Sequence, residues 1–87
     1  MVRVANLRTA GGGYAPNQFK IWTDEGMVFQ SYEATIAERL WNGEVTLFEP
    51  YWNMYSTTTT RYLLQFLNED SIQDVRAKVK NGEYKVE

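Results

Sequence analysis

The sequence predicts an α+β domain, an antiparallel β-meander of about four strands packed against two C-terminal helices. In the first half, segments rich in aromatic and β-branched residues alternate with short turns that contain glycine. The second half contains two stretches with helical spacing of apolar residues. The 87 residues suffice for one domain with a single modest core. We divide it into an edge strand with a Gly-rich loop, a meander, two helices and a last strand, over residues 1–16, 17–50, 56–81 and 83–87.

Residues 2–7 alternate partly with period two and predict the short edge strand. Residues 11–13 are three consecutive glycines, which are costly to order, so we expect a flexible connection there. A Gly-rich loop can cradle phosphate, but the P-loop motif needs a following Gly-Lys-Ser/Thr that the sequence lacks. A plain loop is therefore the favoured interpretation.

The meander strands are predicted over residues 18–23, 27–32, 35–41 and 44–48. The first turn, Asp24-Glu25-Gly26, is expected to place Gly26 at a positive φ. Asn42 and Gly43 form the strongest signal for a two-residue hairpin loop. A rival interpretation makes residues 33–41 a helix, because their apolar residues also fit one helical face. The Asn-Gly turn favours the strand.

The first helix is predicted to begin after Ser56, whose hydroxyl can accept a hydrogen bond from the first turn. Tyr55 precedes this cap and can fold back on the turn as a hydrophobic staple. From Thr59 onward, apolar residues recur at the spacing of one helical face. They are Tyr62, Leu63, Phe66 and Leu67.

The second helix is predicted to start at a capping box, with Ser71 as the cap and Asp74 at its third position. Asp74 and Lys78 lie four residues apart and are expected to support the helix as a minor pair. Asn81 and Gly82 are typical of a helix end.

The composition excludes several chemistries. Because the chain contains neither cysteine nor histidine, it cannot form disulfides, and it cannot perform serine–histidine or cysteine–histidine catalysis. We therefore expect a protein that is not an enzyme, with no catalytic residues, no cofactor and no metal site. No apolar run approaches the roughly 20 residues of a membrane span, and the N-terminus lacks a signal-peptide core. The expected location is cytoplasmic, without membrane contact.

Charge is distributed unevenly along the chain. The net charge is −2 and the pI is about 5.1, which makes nucleic acid an unfavourable partner. Residues 1–23 carry three basic residues and no acidic one. Residues 24–50 carry six acidic residues and only Arg39 as a basic one. This acidic block can be a solvated sheet face, or it can dock on a basic surface of another protein.

The aromatic residues form 15% of the chain, more than one face of a meander can bury. If Phe19, Ile21, Met27, Phe29, Val45 and Leu47 face the helices, Trp22, Trp41 and Phe48 lie elsewhere. Exposed aromatic residues can mark a protein interface, although core packing is the simpler interpretation. Combined with the acidic block, they give our candidate partner-binding residues: Trp22, Glu33, Glu38, Trp41, Glu44, Phe48 and Glu49.

The hydroxyl run from Ser56 to Thr60 offers a further candidate. The backbone N–H groups and the macrodipole of a helix start favour anions, so this run could bind phosphate. Helix capping explains the same residues without a ligand and is favoured.

Several motifs resemble those of a family of short uncharacterised proteins encoded by phages and mobile elements of Gram-positive bacteria. The likeness covers roughly residues 5–68, and its specific parts are Phe-Gln-Ser-Tyr at 29–32 and Tyr-Ser-x-Thr-Thr at 55–59. Trp52 and residues 65–67 also match, with one extra residue between Trp52 and Tyr55. The resemblance implies a phage context and supplies no catalytic residues.

The leading hypothesis is a small phage-type binding protein that modulates or inhibits a host or phage protein through an acidic and aromatic sheet face. A nuclease, or a defence component such as a CRISPR effector, fits this description of a target. One alternative is an accessory protein that binds single-stranded nucleic acid through exposed aromatic residues and Lys20, Arg39 and Arg61. Another is a self-assembling structural protein, of which a homodimer is the simplest form.

Overall fold

The computed structural model describes residues 2–53 and 56–87. Six strands form one sheet in the order of the sequence. They are β1 (Arg3–Arg8), β2 (Tyr14–Trp22), β3 (Gly26–Ser31), β4 (Ala34–Leu40), β5 (Val45–Leu47) and β6 (Tyr84–Val86). A short 3-10 helix, Tyr51–Asn53, follows β5 and leads to α1 (Thr57–Leu67) and α2 (Ile72–Lys80).

Strands β1 to β5 are antiparallel neighbours, whereas β6 returns after the two helices and pairs parallel to β5. The predicted α+β class is confirmed. The sheet has six strands rather than about four, because the first and last segments extend the meander at its two edges. The prediction of a strand over residues 35–41, rather than a helix over 33–41, is also confirmed, since β4 spans Ala34–Leu40.

The expected role of Gly26 in the first meander turn is wrong. Gly26 is the first residue of β3, and the glycines with positive φ are Gly12, Gly43 and Gly82. A Cβ on Gly26 would lie 2.2 Å from the carbonyl oxygen of Arg39 in the neighbouring strand. Glycine is needed here because two backbones approach closely, and not because the turn requires a left-handed residue.

The Asn-Gly hairpin is one residue longer than predicted. The N–H of Leu40 donates to the carbonyl of Glu44 at 2.9 Å, and the N–H of Gly43 donates to the carbonyl of Leu40 at 2.9 Å. The loop therefore contains Trp41, Asn42 and Gly43, with Gly43 at φ 94°. This is the three-residue loop in which a left-handed residue follows a tight turn.

The triple glycine closes a hairpin between β1 and β2. The N–H of Thr9 donates to the carbonyl of Gly13 at 2.8 Å, and the N–H of Gly12 donates to the carbonyl of Thr9 at 2.9 Å. The guanidinium of Arg8 donates to the carbonyl of Gly12 at 2.9 Å and lies over the ring of Tyr14. The segment predicted to be a flexible connection is therefore a turn held by hydrogen bonds.

Both helix starts match the predicted caps. The hydroxyl of Ser56 accepts from the N–H of Thr59 at 3.3 Å, and that of Ser71 accepts from the N–H of Asp74 at 3.2 Å. The predicted staple at Tyr55 lies outside the described residues. Asp74 was the partner predicted for Lys78. The ion pair that Lys78 forms is with Glu69 instead.

The core lies between one face of the sheet and the two helices. The predicted apolar face of α1, Tyr62, Leu63, Phe66 and Leu67, is buried. Phe66 stacks on Phe29 of β3 with 5.8 Å between ring centroids. At the edge of the sheet, the side chain of Gln65 donates to the carbonyl of Arg8 and accepts from its N–H, which ties α1 to β1.

The strand register divides the sheet residues between two faces. Phe29 pairs with Lys20 and Ala37, and Ala37 pairs with Leu47, so these residues share the helix-covered face. The expectation that Phe19 and Ile21 also face the helices is wrong, because they pair with Gln30 and Val28, on the opposite side from Phe29. A shift of one residue along a strand exchanges the two faces, and the alternation alone does not say which face is covered.

Candidate functional site

The face of the sheet opposite the helices carries a row of apolar residues. Val4 of β1 pairs with Ile21 of β2, and Ile21 pairs with Val28 of β3. Val4 is 56% exposed, and Ile21 and Val28 are partly exposed. Cross-strand partners project to the same side, so the three side chains form a continuous band. We call this side, defined by Val4, Phe19, Ile21, Val28, Glu38 and Leu40, the open face.

The same line of cross-strand neighbours becomes polar in β4, β5 and β6. Val28 pairs with Glu38 of β4, which pairs with Thr46 of β5, which pairs with Lys85 of β6. The carboxylate of Glu38 has no hydrogen-bond or ion-pair partner within residues 2–53 and 56–87. It is partly buried beside the apolar band. An unpaired charge at such a position favours a cation supplied from outside the chain.

Glu44 differs from Glu38 because it already has a partner. Its carboxylate lies 3.6 Å from the ammonium of Lys85, and both side chains are largely exposed. Such surface pairs contribute at most about 1 kcal/mol to stability. Glu44 therefore stays accessible, but it presents less net negative charge than the sequence implies.

Trp41 is 58% exposed but has a structural role at one end of the sheet. Its backbone N–H donates to the carbonyl of Glu25 at 3.0 Å. Its indole N–H donates to the carbonyl of Asp24 at 3.1 Å. The side chain thereby fastens the β4–β5 loop to the β2–β3 turn while its ring remains available for contact.

Glu33, Phe48 and Glu49 lie towards the other end of the sheet. Glu33 is exposed in the turn between β3 and β4. Phe48 is partly buried, and its N–H donates to the carbonyl of Ile36 at 2.9 Å. Glu49 is exposed and bonds through its N–H to the carbonyl of Glu87. The predicted partner-binding acids are thus spread over the length of the sheet, with Glu38 in the centre.

Trp22 is separated from the acidic residues. It pairs with Arg3 and Met27, which gives it the same side of the sheet as the helices. The guanidinium of Arg3 lies 5.2 Å from its ring centroid, and the ammonium of Lys20 lies 5.3 Å from it. Trp22 therefore belongs to a basic and aromatic cluster on β1 and β2, and does not extend the open face.

A cavity of about 460 Å³ lies at the start of α1, between α1, α2 and the 3-10 helix. Three lining residues are apolar or aromatic, namely Trp52, Leu64 and Ile72. The polar ones are Asn53, Ser56, Thr57, Thr60, Arg61 and Arg76. We call it the helix-start cavity. The hydroxyl run was visible in the sequence, whereas the contribution of Arg76 was missed because it comes from the next helix.

Two polar side chains of this cavity have well-defined positions. The guanidinium of Arg76 donates through Nε and Nη2 to the side-chain oxygen of Asn53, at 3.1 and 3.0 Å. Trp52 is only 6% exposed, and its indole N–H has no acceptor among residues 2–53 and 56–87. A buried donor without an acceptor is uncommon in folded proteins and costs about 1–3 kcal/mol.

A third polar cluster joins α2 to β6. The ammonium of Lys78 donates to Oε2 of Glu69 at 2.6 Å, and the hydroxyl of Tyr84 donates to the same oxygen. Burial raises the pKa of Glu69, but the hydrogen bonds from Lys78 and Tyr84 outweigh it, so the pKa lies below the ordinary value of 4.5. The pKa of Lys78 is raised by its hydrogen bond to Glu69. Burial, and then the same carboxylate, raise the pKa of Tyr84.

Within residues 2–53 and 56–87, acidic residues do not gather in a group of three or more that could hold a metal ion. In the same part of the chain, neither helix has the length and apolar character to cross a membrane.

A model described as "Family of unknown function (DUF8033)" matches residues 5–82. The chain belongs to this family. No curated protein and no solved structure matches it. The predicted membership of an uncharacterised family is confirmed. The part of the chain that matches DUF8033 contains the open face from β2 to β5 and the whole helix-start cavity, whereas Val4 lies just before its first residue.

Proposed function

We propose that this DUF8033 member is a small non-enzymatic binding protein that docks on another protein through its open face. The observation that carries the proposal is the apolar band of Val4, Ile21 and Val28, which continues into Glu38, whose carboxylate has no partner in the described part of the chain. Apolar side chains gain free energy when a partner removes them from water. Contiguous exposed apolar residues with a polar rim are typical of protein interfaces.

The chemistry of this face specifies the partner. Apolar side chains would cover the band on β1 to β3, and a lysine or arginine would reach Glu38 on β4. Glu44, which lies next to the same face, adds a further carboxylate. The partner is therefore a protein with an apolar surface bordered by basic residues. Sites that bind nucleic acid are basic, and carboxylates can take the place of phosphates there.

The proposed consequence of docking is modulation or inhibition of the partner in the host cell. The absence of cysteine and histidine from the sequence supports a role that depends on binding rather than on catalysis. The resemblance to phage-encoded proteins supports a partner in the host, with a nuclease or a defence component as the proposed target.

Affinity capture with matched variants tests the proposal. The wild-type chain, Ile21→Lys and Gln73→Lys would be used as baits in a bacterial lysate. Ile21→Lys puts a cation within the apolar band, where it should repel a basic partner and interrupt the apolar contact. Gln73→Lys adds the same charge at an exposed position of α2 and serves as the control. The expected result is a stoichiometric partner that Ile21→Lys loses and Gln73→Lys retains.

Equal recovery with both variants would place the contact elsewhere and contradict the proposal. Sedimentation of the pure chain covers the possibility of self-association. If the wild type is a dimer that Ile21→Lys dissociates, the open face binds a second copy of the chain, and the proposed heterologous partner is excluded.

A specific observation also favours a second candidate function, binding of single-stranded nucleic acid. The cations of Arg3 and Lys20 both lie near the ring of Trp22, at 5.2 and 5.3 Å from its centroid, and Arg8 lies over the exposed ring of Tyr14. Aromatic rings flanked by cations can stack on bases and contact phosphates. The net charge of −2 opposes this function. A fluorescence titration with single-stranded DNA at low salt tests it, and a lack of binding excludes it.

A further inference from the structure

We propose that the outer edge of β1 binds an extended peptide segment in which acidic and apolar residues alternate. The segment would add one more strand to the sheet through main-chain hydrogen bonds. This edge is a different surface from the open face, and the argument for it does not depend on the partner proposed for that face. It rests on the direction of the backbone groups of β1, the composition of that strand and the charge beside it.

The pairing of β2 with β3 fixes the direction of the backbone groups in β2. The N–H of Thr23 donates to the carbonyl of Gly26, and the N–H of Tyr32 donates to the carbonyl of Asn17. In an antiparallel pair, alternate residues bond to the neighbouring strand. The odd-numbered residues from 17 to 23 therefore direct their N–H and C=O groups towards β3, and the even-numbered ones direct theirs towards β1.

This direction determines which groups of β1 point outward. The even-numbered residues of β2 pair with Arg3 and Ala5, so these two residues bond to β2. Val4 and Asn6 alternate with them and direct their N–H and C=O groups away from the sheet. Within residues 2–53 and 56–87, β1 is the first strand of the sheet and has no strand on its outer side. The edge thus offers donors and acceptors to an added strand.

Gln65 shows how the chain satisfies this edge at one end. Its side chain accepts from the N–H of Arg8 at 3.2 Å and donates to the carbonyl of Arg8 at 2.9 Å. The amide supplies the same donor and acceptor that a paired strand would supply. Among the described residues, no side chain does the same for the backbone of Val4 or Asn6, whose groups are left to water or a partner.

The composition of β1 favours pairing with another strand. Natural edge strands are protected by lysine, proline, bulges or short length. Residues 3–6 contain neither lysine nor proline, and the register shift with β2 falls beyond them, between Asn6 and Arg8. Val2 and Val4 are 68% and 56% exposed. The opposite edge strand, β6, is only three residues long, so β1 is the better template.

The charge beside β1 determines which strand can pair with it. The cations of Arg3 and Lys20 both lie near the ring of Trp22, on the side of the sheet that the helices cover. Residues 1–23 contain no acidic residue. Cross-strand pairs of opposite charge stabilise a sheet, whereas like charges destabilise it. An added strand should therefore carry carboxylates on this side.

The other side of β1 calls for apolar residues. Val4 lies on the open face beside Ile21, so an apolar residue opposite Val4 would extend the apolar band. Successive residues of a strand point to opposite sides, and the partner segment must therefore alternate acidic and apolar residues. A second copy of β1 does not fit, because it would bring another Arg3 and no carboxylate to the edge.

Fluorescence anisotropy with a labelled peptide tests the edge in the intact chain. The probe alternates glutamate and valine over about six residues, the length of β1. At low salt we expect a Kd below about 1 mM. A peptide of the same length that alternates lysine and valine should not bind, because its cations would face Arg3.

Two N-methylated forms of the glutamate–valine peptide test the main-chain hydrogen bonds. In antiparallel pairing, a valine opposite Val4 directs its N–H towards β1, and the glutamates direct theirs away. N-methylation of the valines should weaken binding at least about tenfold, because these donors are lost. N-methylation of the glutamates leaves the donors in place and serves as the control.

Two substitutions of Val4 test the protein side of the same bonds. Val4→Pro removes the outward N–H, and proline is tolerated in an edge strand whose N–H faces solvent. It should weaken binding at least about tenfold, whereas Val4→Thr, which keeps the N–H, should stay within about threefold. Circular dichroism serves to show that both variants are folded.

Arg3→Gln tests the contribution of charge. It should weaken binding of the glutamate–valine peptide about threefold to tenfold at low salt. Lys80→Gln is the control, because it removes one positive charge from an exposed position of α2. Ile21→Lys, which should abolish docking on the open face, should leave peptide binding in place. The two proposals can therefore fail separately.

Several results would overturn the proposal. Failure of the glutamate–valine peptide to bind, or equal binding of its two N-methylated forms, would exclude strand addition at β1. If single-stranded DNA displaces the peptide while both N-methylated forms bind equally, the cations beside β1 recognise nucleic acid, and the peptide assignment is wrong. If the pure chain sediments as a dimer that Val4→Pro dissociates, a second copy occupies the edge, and the assignment is equally wrong.

Discussion

The two faces of the sheet are built from the same strands but differ in what covers them. Phe29 and Val28 are neighbours in β3, yet Phe29 is fully buried beneath Phe66 and Val28 is partly exposed on the open face. Both faces carry an apolar residue of β3, with Phe29 on one side and Val28 on the other. Only one has helices packed on it. Phe66 of α1 stacks on Phe29, and Lys78 of α2 lies over the ring of Tyr84, which pairs with Val45 on the same side of the sheet.

This difference allows effects on folding stability, expected on the covered face, to be distinguished from effects on binding, expected on the open face. A residue of the covered face contributes to folding through its contacts with α1 and α2. An apolar residue of the open face contributes less to folding, since water reaches it. Its hydrophobic character is therefore better explained by a partner. Four substitutions, ordered by expected effect on stability, test this contrast.

Phe29→Ala should have the largest effect. The ring is fully buried and stacks on Phe66, so its removal leaves a cavity between the sheet and α1. The expected loss is about 3–5 kcal/mol in the free energy of unfolding, measured by urea denaturation. A loss below about 1 kcal/mol would mean that α1 does not pack on this face as described.

Gly26→Ala should be the next most harmful substitution. The new Cβ would meet the backbone of Arg39 and Leu40, which cannot rotate away as a flexible side chain could. A loss of about 1–3 kcal/mol is expected from this overpacking. Gly43→Asn provides a control, since Gly43 has open space around it and asparagine tolerates its positive φ. A near-neutral Gly26→Ala would contradict the close approach of β3 and β4.

Glu69 should make stability depend on pH in the acid range. Its pKa is lowered in the folded state, so its contribution is present above the ordinary value of 4.5 and is lost as the pH falls through the folded value. Between about pH 7 and about pH 3, wild type should therefore lose more stability than Glu69→Gln, which has no carboxylate to protonate. Parallel curves for the two proteins, measured by thermal unfolding, would show that the cluster with Lys78 and Tyr84 does not stabilise the fold.

Val28→Thr should have the smallest effect. Threonine has nearly the same shape and favours strands, and the site is open to water, so a loss under about 1 kcal/mol is expected. Val45→Thr is the matched comparison on the covered face, where Val45 is only 2% exposed. Burial of a hydroxyl there should cost about 1–3 kcal/mol. Equal losses at the two positions would remove the distinction between the faces.

Features that depend on local sequence could be predicted, and those that depend on distant residues could not. The caps at Ser56 and Ser71 involve a hydroxyl and an N–H three residues later, so the spacing alone identifies them. The requirement for Gly26 comes from Arg39 in another strand, and this information is absent from the turn itself.

The same limit applies to the candidate sites. Period-two alternation correctly separates Phe29 from its neighbours in β3. It cannot decide that Ile21 and Phe29 lie on different faces of the sheet, because this depends on the pairing of β2 with β3. Trp22 was grouped with acidic residues that are near in sequence, whereas cross-strand pairing puts it beside Arg3. The helix-start cavity required Arg76, which reaches it from a separate helix.

The most direct test of the open face is an NMR titration of the isotope-labelled chain with the partner recovered by affinity capture. The proposal predicts that the largest chemical-shift changes occur at Val4, Ile21, Val28 and Glu38, with little change at the exposed residues of α2. If the largest changes instead occur on the helices while the open-face signals stay constant, the open face is not the binding surface and the account is contradicted.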